Sequence, residues 1–96
     1  MATGDVYAGI LVFSGSDSDT IQPDSGDEVT IHNLWYNGEF SIIITDGSNE
    51  VTIQSVAGND GITYIPIHIT HSYYIKITET AGTSGLFGYD GIKTKD

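Results

Sequence analysis

The feature that most constrains this chain is the regular alternation of apolar and polar residues over Ile62 to Thr78, ITYIPIHITHSYYIKIT. In its first half Ile65, Ile67 and Ile69 fall on one face of an extended strand, and the residues between them fall on the other. A period of two is what a half-buried β-strand imposes. The pattern resumes over residues 73–78 after a short turn. We therefore predict a β-hairpin across this stretch.

Composition extends that prediction to the whole chain. With 96 residues the chain is long enough for one domain and one core, which we place over 1–96. Gly, Thr, Ser, Ile and Tyr are plentiful while Ala and Leu are scarce, which favours strands and turns over helices. We expect an all-β domain with essentially no helix.

Charge and cysteine content exclude several classes of function. Three lysines against thirteen carboxylates give a formal charge of −10, which repels nucleic acid and anionic membrane surfaces. The chain has no cysteine, so disulfides, thiolate nucleophiles and cysteine zinc sites are excluded. The start MATGDVYAG lacks a basic segment followed by an apolar run, and we expect a protein made without an export signal.

Turn residues divide the chain into seven or eight short strands. Asn37-Gly38 predicts a two-residue hairpin turn between a strand over Glu28 to Tyr36, bulged near His32, and a strand over Phe40 to Thr45. Further turns are predicted at residues 46–49, 58–61 and 81–85, and a short edge strand is expected just before Pro23. Strands at roughly ten-residue spacing predict an antiparallel β-sandwich or jelly roll.

The first strand, Val6 to Phe13, is apolar on both of its faces. A strand of this kind is usually covered by other residues on both of its faces. It is either central in a sandwich or buried on its outer face against another subunit. We predict self-association, as a homotrimer, through this strand and the region of Tyr73 and Tyr74.

Residues capable of catalysis or metal binding form no convincing site. His32, His68 and His71 offer metal ligands, but a spacing of three along a strand sends side chains to opposite faces, which favours ordinary surface histidines. The acidic stretch over residues 17–28 lacks the order of a calcium-binding loop, and residues 14–18 include serines without a neighbouring histidine. We expect no enzyme activity, no metal and no cofactor.

Aromatic residues are the more informative group, because large amphipathic rings often serve protein interfaces or stack on sugars. Tyr73 and Tyr74 are adjacent, so their rings point to opposite faces and at least one of them lies outside the core. Together with the first strand they give six candidate interface residues: Tyr7, Leu11, Phe13, Trp35, Tyr73 and Tyr74.

Several segments together resemble small all-β virion proteins of tailed bacteriophages, and among these the capsid decoration, or cement, proteins. The segments are the start MATGDVYAGI, the run QPDSGDEVTI from Gln22, the TDG turn from Thr45, and SYYIKITET followed by FGYDGIKTK near the C-terminus. The resemblance implies a structural protein that binds the major capsid protein on the outer surface of the shell, commonly as a trimer. It implies a protein made in the host cytoplasm and carries no catalytic or ligand residues.

Two other functions remain open from the sequence. A carbohydrate-binding or receptor-binding module would use Trp35 and the tyrosines to line a groove. A tail, neck or head-fibre component of the same virion would share the all-β composition.

Overall fold

The computed structural model describes residues 4–95, with the side chains of Asn59 and Asp60 left aside. Residues 1–3, which open the segment MATGDVYAGI, lie outside the described part. The strands are β1 (Val6–Ser14), β2 (Ser18–Ile21), β3 (Glu28–Thr45), β4 (Glu50–Thr70), β5 (Tyr74–Glu79) and β6 (Ser84–Lys95).

The long strand β3 is the centre of the sheet. Along one edge it pairs with β4 from end to end. Along its other edge it pairs first with β6 and then with β5. β1 extends the sheet beyond β6, and β2 extends it beyond β5. All of these pairings are antiparallel.

The prediction of an all-β chain without helix is confirmed for residues 4–95. The six continuous strands become seven when β3 is divided at its register shift between Tyr36 and Gly38, where its neighbour changes from β6 to β5. The sheet is strongly curled into a half-barrel rather than forming two clearly separate layers.

The core fills the concave side of this half-barrel. At its centre the ring of Phe40 lies 5.2 Å from Phe13 and 5.3 Å from Phe87, both edge to face. Such contacts add to the stabilisation from burying the rings. The surrounding buried aliphatic residues come from four strands, β2 to β5: Ile21, Val29, Ile31, Leu34, Ile42, Ile44, Val56, Ile69, Ile75 and Ile77.

Two buried charged side chains each have partners nearby in space that pair with them or hydrogen-bond to them. Lys93 is 1% exposed and its Nζ lies 3.1 Å from Oδ1 of Asp27. Glu79 is also 1% exposed, and its carboxylate accepts backbone N–H groups from residues 81, 82 and 83. Glu79 therefore fixes the loop that joins β5 to β6.

The predicted hairpin turn at Asn37-Gly38 is wrong, because both residues lie inside the continuous strand β3. Gly38 does have the positive φ that the dipeptide favours, 138°. That conformation serves a bulge within the strand, and the chain does not reverse there.

The predicted turn at residues 58–61 is also wrong, because β4 runs through it. Gly58 pairs with Gly38, and Gly61 pairs with Tyr36. A Cβ atom at Gly61 would overlap the Tyr36 ring, so glycine is needed there for close packing.

The predicted hairpin over residues 62–78 is wrong in its pairing, although its alternation is right. Ile69, Ile75 and Ile77 are buried as expected. The two arms, however, bond to different parts of β3: β4 pairs there with residues 28–36, and β5 with residues 40–45. Alternation specifies which face is buried and does not specify which strand is the neighbour.

Other local predictions are confirmed. Asp46 closes the β3–β4 turn, because its Oδ1 accepts the backbone N–H groups of Ser48 and Asn49. The expected bulge near His32 is the register shift between Ile31 and Asn33. The edge strand before Pro23 is β2.

Candidate functional site

The first strand is an edge strand that the chain covers on one face alone. Its inner face supplies buried Phe13 to the core. Its outer face is open: Val6 is 69% exposed, Ile10 71% and Val12 74%. Of the two alternatives for this strand, a central position in the domain is therefore wrong, and burial against another subunit stays a prediction. Nothing among residues 4–95 covers its outer face.

Trp35 continues this open apolar surface across the sheet. Strand registers place Ile10, Gly88, Trp35 and Ile62 in one row over four adjacent strands. A Cβ at Gly88 would lie 3.3 Å from the indole, so the glycine lets the ring lie close against the sheet. Ile62 remains 61% exposed and Trp35 40%.

We call this surface the outer apolar face and define it by eight residues. They are Val6, Ala8, Ile10, Val12, Trp35, Ile62, Leu86 and Gly88. Most of them line a shallow groove of about 800 Å³. Exposed apolar surface of this extent is typical of an interaction site.

Polar side chains border one end of the outer apolar face. Asn33 donates to Oδ1 of Asp90 over 3.1 Å beside the apolar row. Further along, Nε2 of His68 lies 2.8 Å from Oε1 of Glu28, whose other oxygen is 3.5 Å from Nζ of Lys95. The hydrogen bond with His68, followed by the charge of Lys95, lowers the pKa of Glu28. These groups are paired with one another and border the apolar part.

The six predicted interface residues are divided by the structure. Phe13 is buried, and Tyr7 and Leu11 pack partly buried against the core. Tyr73 is 49% exposed, beside Val51 on the second half of the sheet. Tyr74 is half-buried. Of the six, Trp35 alone belongs to the outer apolar face, and participation of the others in an interface stays a prediction.

Most of the outer apolar face was missed by the sequence-based prediction. Both phases of β1 are apolar, and the predicted interface residues Tyr7, Leu11 and Phe13 share the phase that carries the aromatic rings. The structure buries that phase and exposes the aliphatic one. Ring size could have indicated this, because the larger side chains bury more area when they face the core.

The described residues form no cluster of metal ligands. No group of three or more His, Asp or Glu side chains there is placed to hold a metal ion. His71 has its Nδ1 3.0 Å from the carbonyl oxygen of Pro23, while His68 is engaged with Glu28. The three histidines are thus not brought together as ligands.

Tyr7 has a strongly raised pKa. Burial, with the neighbouring Tyr89 and the charges of Asp24 and Asp27, raises the pKa of Tyr7 to about 12. Its ring lies 5.7 Å from that of Tyr89, whose pKa burial also raises. A phenol with a raised pKa stays neutral, so the pair serves packing and not proton transfer near neutral pH.

Comparison with known proteins gives no assignment: no family model matches the chain, and no curated protein matches it. Within residues 4–95 there is no helix of the length and apolarity needed to cross a membrane.

Proposed function

We propose that this chain is a structural virion protein that attaches to the outer surface of a tailed-phage capsid and stabilises it. The observation that carries the proposal is the outer apolar face, an open sheet surface centred on Trp35. Soluble proteins rarely leave a surface of this kind without a partner. An apolar centre with a tryptophan is typical of the strongly contributing part of a protein interface.

Charge agrees with attachment to the outside of a particle. A net charge of −10 disfavours contact with the packaged nucleic acid. The outer apolar face contains no ionisable side chain among its eight residues. The centre of the proposed contact is therefore neutral, while Asp90 and Glu28 lie at its polar end, so repulsion from an acidic shell would be small over the apolar part of the contact.

Binding to capsids of the phage that encodes the chain tests the proposal. Shells lacking this protein are mixed with the purified chain, and bound protein is measured after sedimentation of the shells. We expect saturable binding and a higher temperature of shell disruption. Ile62→Lys places a charge in the apolar row without touching the core, and it should weaken binding at least about tenfold.

The matched control is Val51→Lys, because Val51 is also an exposed aliphatic residue of β4, 65% exposed, but lies on the other half of the sheet. It should bind as the unmodified chain does. Equal loss with both variants would indicate a general charge effect, and absence of binding by the unmodified chain would contradict the proposal.

Carbohydrate binding is the second candidate, and one observation favours it. The indole of Trp35 lies against Gly88, and the same groove is lined by Asn37 and Asp90, whose side chains can bond to hydroxyl groups. A glycan array separates the two functions. Specific glycan binding that is lost in Trp35→Ala, without binding to shells, would favour the sugar-binding module.

A further inference from the structure

We propose that two copies of this chain join through the free edge of β1, so that their sheets continue into one and their outer apolar faces lie side by side. Among the described residues β1 bonds to β6 alone, and its other edge has no strand beside it. Unpaired backbone N–H and C=O groups along such an edge are a template for another strand.

The free edges of this sheet differ in how they are protected. β2 is only four residues long and includes Asp19. β4 contains Pro66, which lacks an N–H donor, and begins at Glu50. By contrast β1 has nine residues, VYAGILVFS, with no charge and no proline. Short edges, charges and prolines are the usual protections against edge pairing, and β1 has none of them.

Charge identifies a second copy as a suitable partner. Two chains of charge −10 repel each other wherever their carboxylates approach. β1 is a neutral segment on this acidic molecule, so pairing through it keeps carboxylates out of the contact. The remaining repulsion acts at longer range and is screened over about 10 Å at 0.1 M salt. Association should therefore tighten as salt is raised.

Geometry fixes the symmetry of the pair. Two identical antiparallel strands are related by a two-fold axis perpendicular to the sheet. If the axis passes between the Ile10 residues of the two copies, Ala8 of one copy lies opposite Val12 of the other. The exposed aliphatic residues of both copies then lie on the same face of the joined sheet. Such a contact is complete with two copies, so it gives a dimer and not the trimer expected from the sequence.

The pairing also enlarges the surface that the proposed function requires, and this consequence rests on that function. Four strands about 4.8 Å apart and nine residues long make a face of roughly 600 Å². A standard protein interface takes about 800 Å² from each partner. Two faces side by side exceed that area, whereas one does not reach it.

Sedimentation equilibrium of the purified chain tests the pairing without any capsid, so its result is independent of the proposed function. We expect a species of twice the 10.3 kDa chain mass at tens of micromolar protein, with tighter association at higher salt. A monomer throughout this range, or a trimer, would overturn the β1 pairing and leave capsid binding to be judged by its own assay.

Charge reversal across the contact makes the test specific. Ala8→Lys with Val12→Lys places like charges opposite each other in the pair, and Ala8→Glu with Val12→Glu does the same with the opposite sign. Each double variant should raise the dimer dissociation constant at least about tenfold, and an equimolar mixture should restore dimers.

The control is Val51→Lys with Ile53→Lys, two exposed positions of β4 away from β1. This variant should dimerise at least as tightly as the unmodified chain. If the two β1 variants dimerise unchanged, or if their mixture remains monomeric, the pairing is wrong.

Discussion

Gly38 of β3 and Gly58 of β4 face each other across the long strand pair, and both have positive φ, 138° and 137°. This position lies where the neighbour of β3 changes from β6 to β5. L-residues rarely adopt such angles, so paired glycines permit a local distortion of both strands. The distortion coincides with the point where the sheet divides into its two halves.

Replacing these glycines separates backbone strain from steric overlap. A Cβ at Gly38 would lie 3.1 Å from the ring of Phe40, whereas a Cβ at Gly58 meets nothing within 4 Å. Gly58→Val should lower the free energy of unfolding by about 1 to 2 kcal/mol through strain alone. Gly38→Val should cost more, about 2 to 3 kcal/mol, because the core is also displaced. Urea denaturation measures both, and equal costs would contradict the packing argument.

These glycines also show how far the sequence predicts the fold. Alternation and composition predict strands and the absence of helix, because burial of one face has a period that is visible locally. Asn37-Gly38 correctly indicates positive φ, but positive φ occurs both in turns and in bulges. Which of the two forms depends on the strands on either side, β4 and β6, and these are distant in sequence.

The sequence predicts the candidate functional site only in part, for the same reason. The sequence identifies β1 as apolar on both faces and Trp35 as a candidate interface residue. It does not show that Trp35 and Ile10 lie in one row, because their alignment passes through β6 near the C-terminus. Residues in a row of a sheet are brought together by register, which local pattern does not specify.

The buried ion pair of Lys93 and Asp27 gives a stability prediction. Asp27→Asn removes the charge opposite a lysine that is 1% exposed. We expect it to lower the free energy of unfolding by about 2 kcal/mol, below the range for fully buried pairs because Asp27 is partly exposed. Lys93→Met should cost less, because it removes the buried charge itself. A larger cost for Lys93→Met in chemical denaturation would contradict this explanation.

Glu79 gives a prediction about the β5–β6 loop. Its carboxylate accepts three backbone N–H groups over 2.7 to 3.2 Å. Glu79→Ala leaves these donors without the carboxylate and should cost about 2 to 3 kcal/mol. Glu79→Gln retains one oxygen acceptor and should cost less. Hydrogen exchange of the amides of residues 81–83 should quicken in both variants, more so in Glu79→Ala; unchanged exchange in both would show that the loop does not depend on Glu79.

The raised pKa of Tyr7 predicts how the stability of the protein changes at alkaline pH. Its pKa of about 12 in the folded chain lies above the usual 10.0, so folding favours the neutral phenol. This contribution to stability is complete below pH 10 and is lost as the pH rises towards 12. Spectrophotometric titration should show late phenolate ionisation from Tyr7, with a contribution from Tyr89, whose pKa is also raised. Tyr7→Phe should reduce the late absorbance change, whereas the same change at the exposed Tyr64 should leave it as it is. A late absorbance change of equal size in Tyr7→Phe and the unmodified chain would contradict the assignment to Tyr7.

The proposed function depends on docking of the outer apolar face on a phage shell, and a cryo-electron microscopy map of the virion would show this docking. We expect density for this chain on the outside of the capsid, with Trp35 and Ile62 against the major capsid protein and the acidic β3–β4 turn at Asp46 directed away from the contact. Density confined to the tail or neck, or a capsid-bound chain with Trp35 facing solvent, would contradict it.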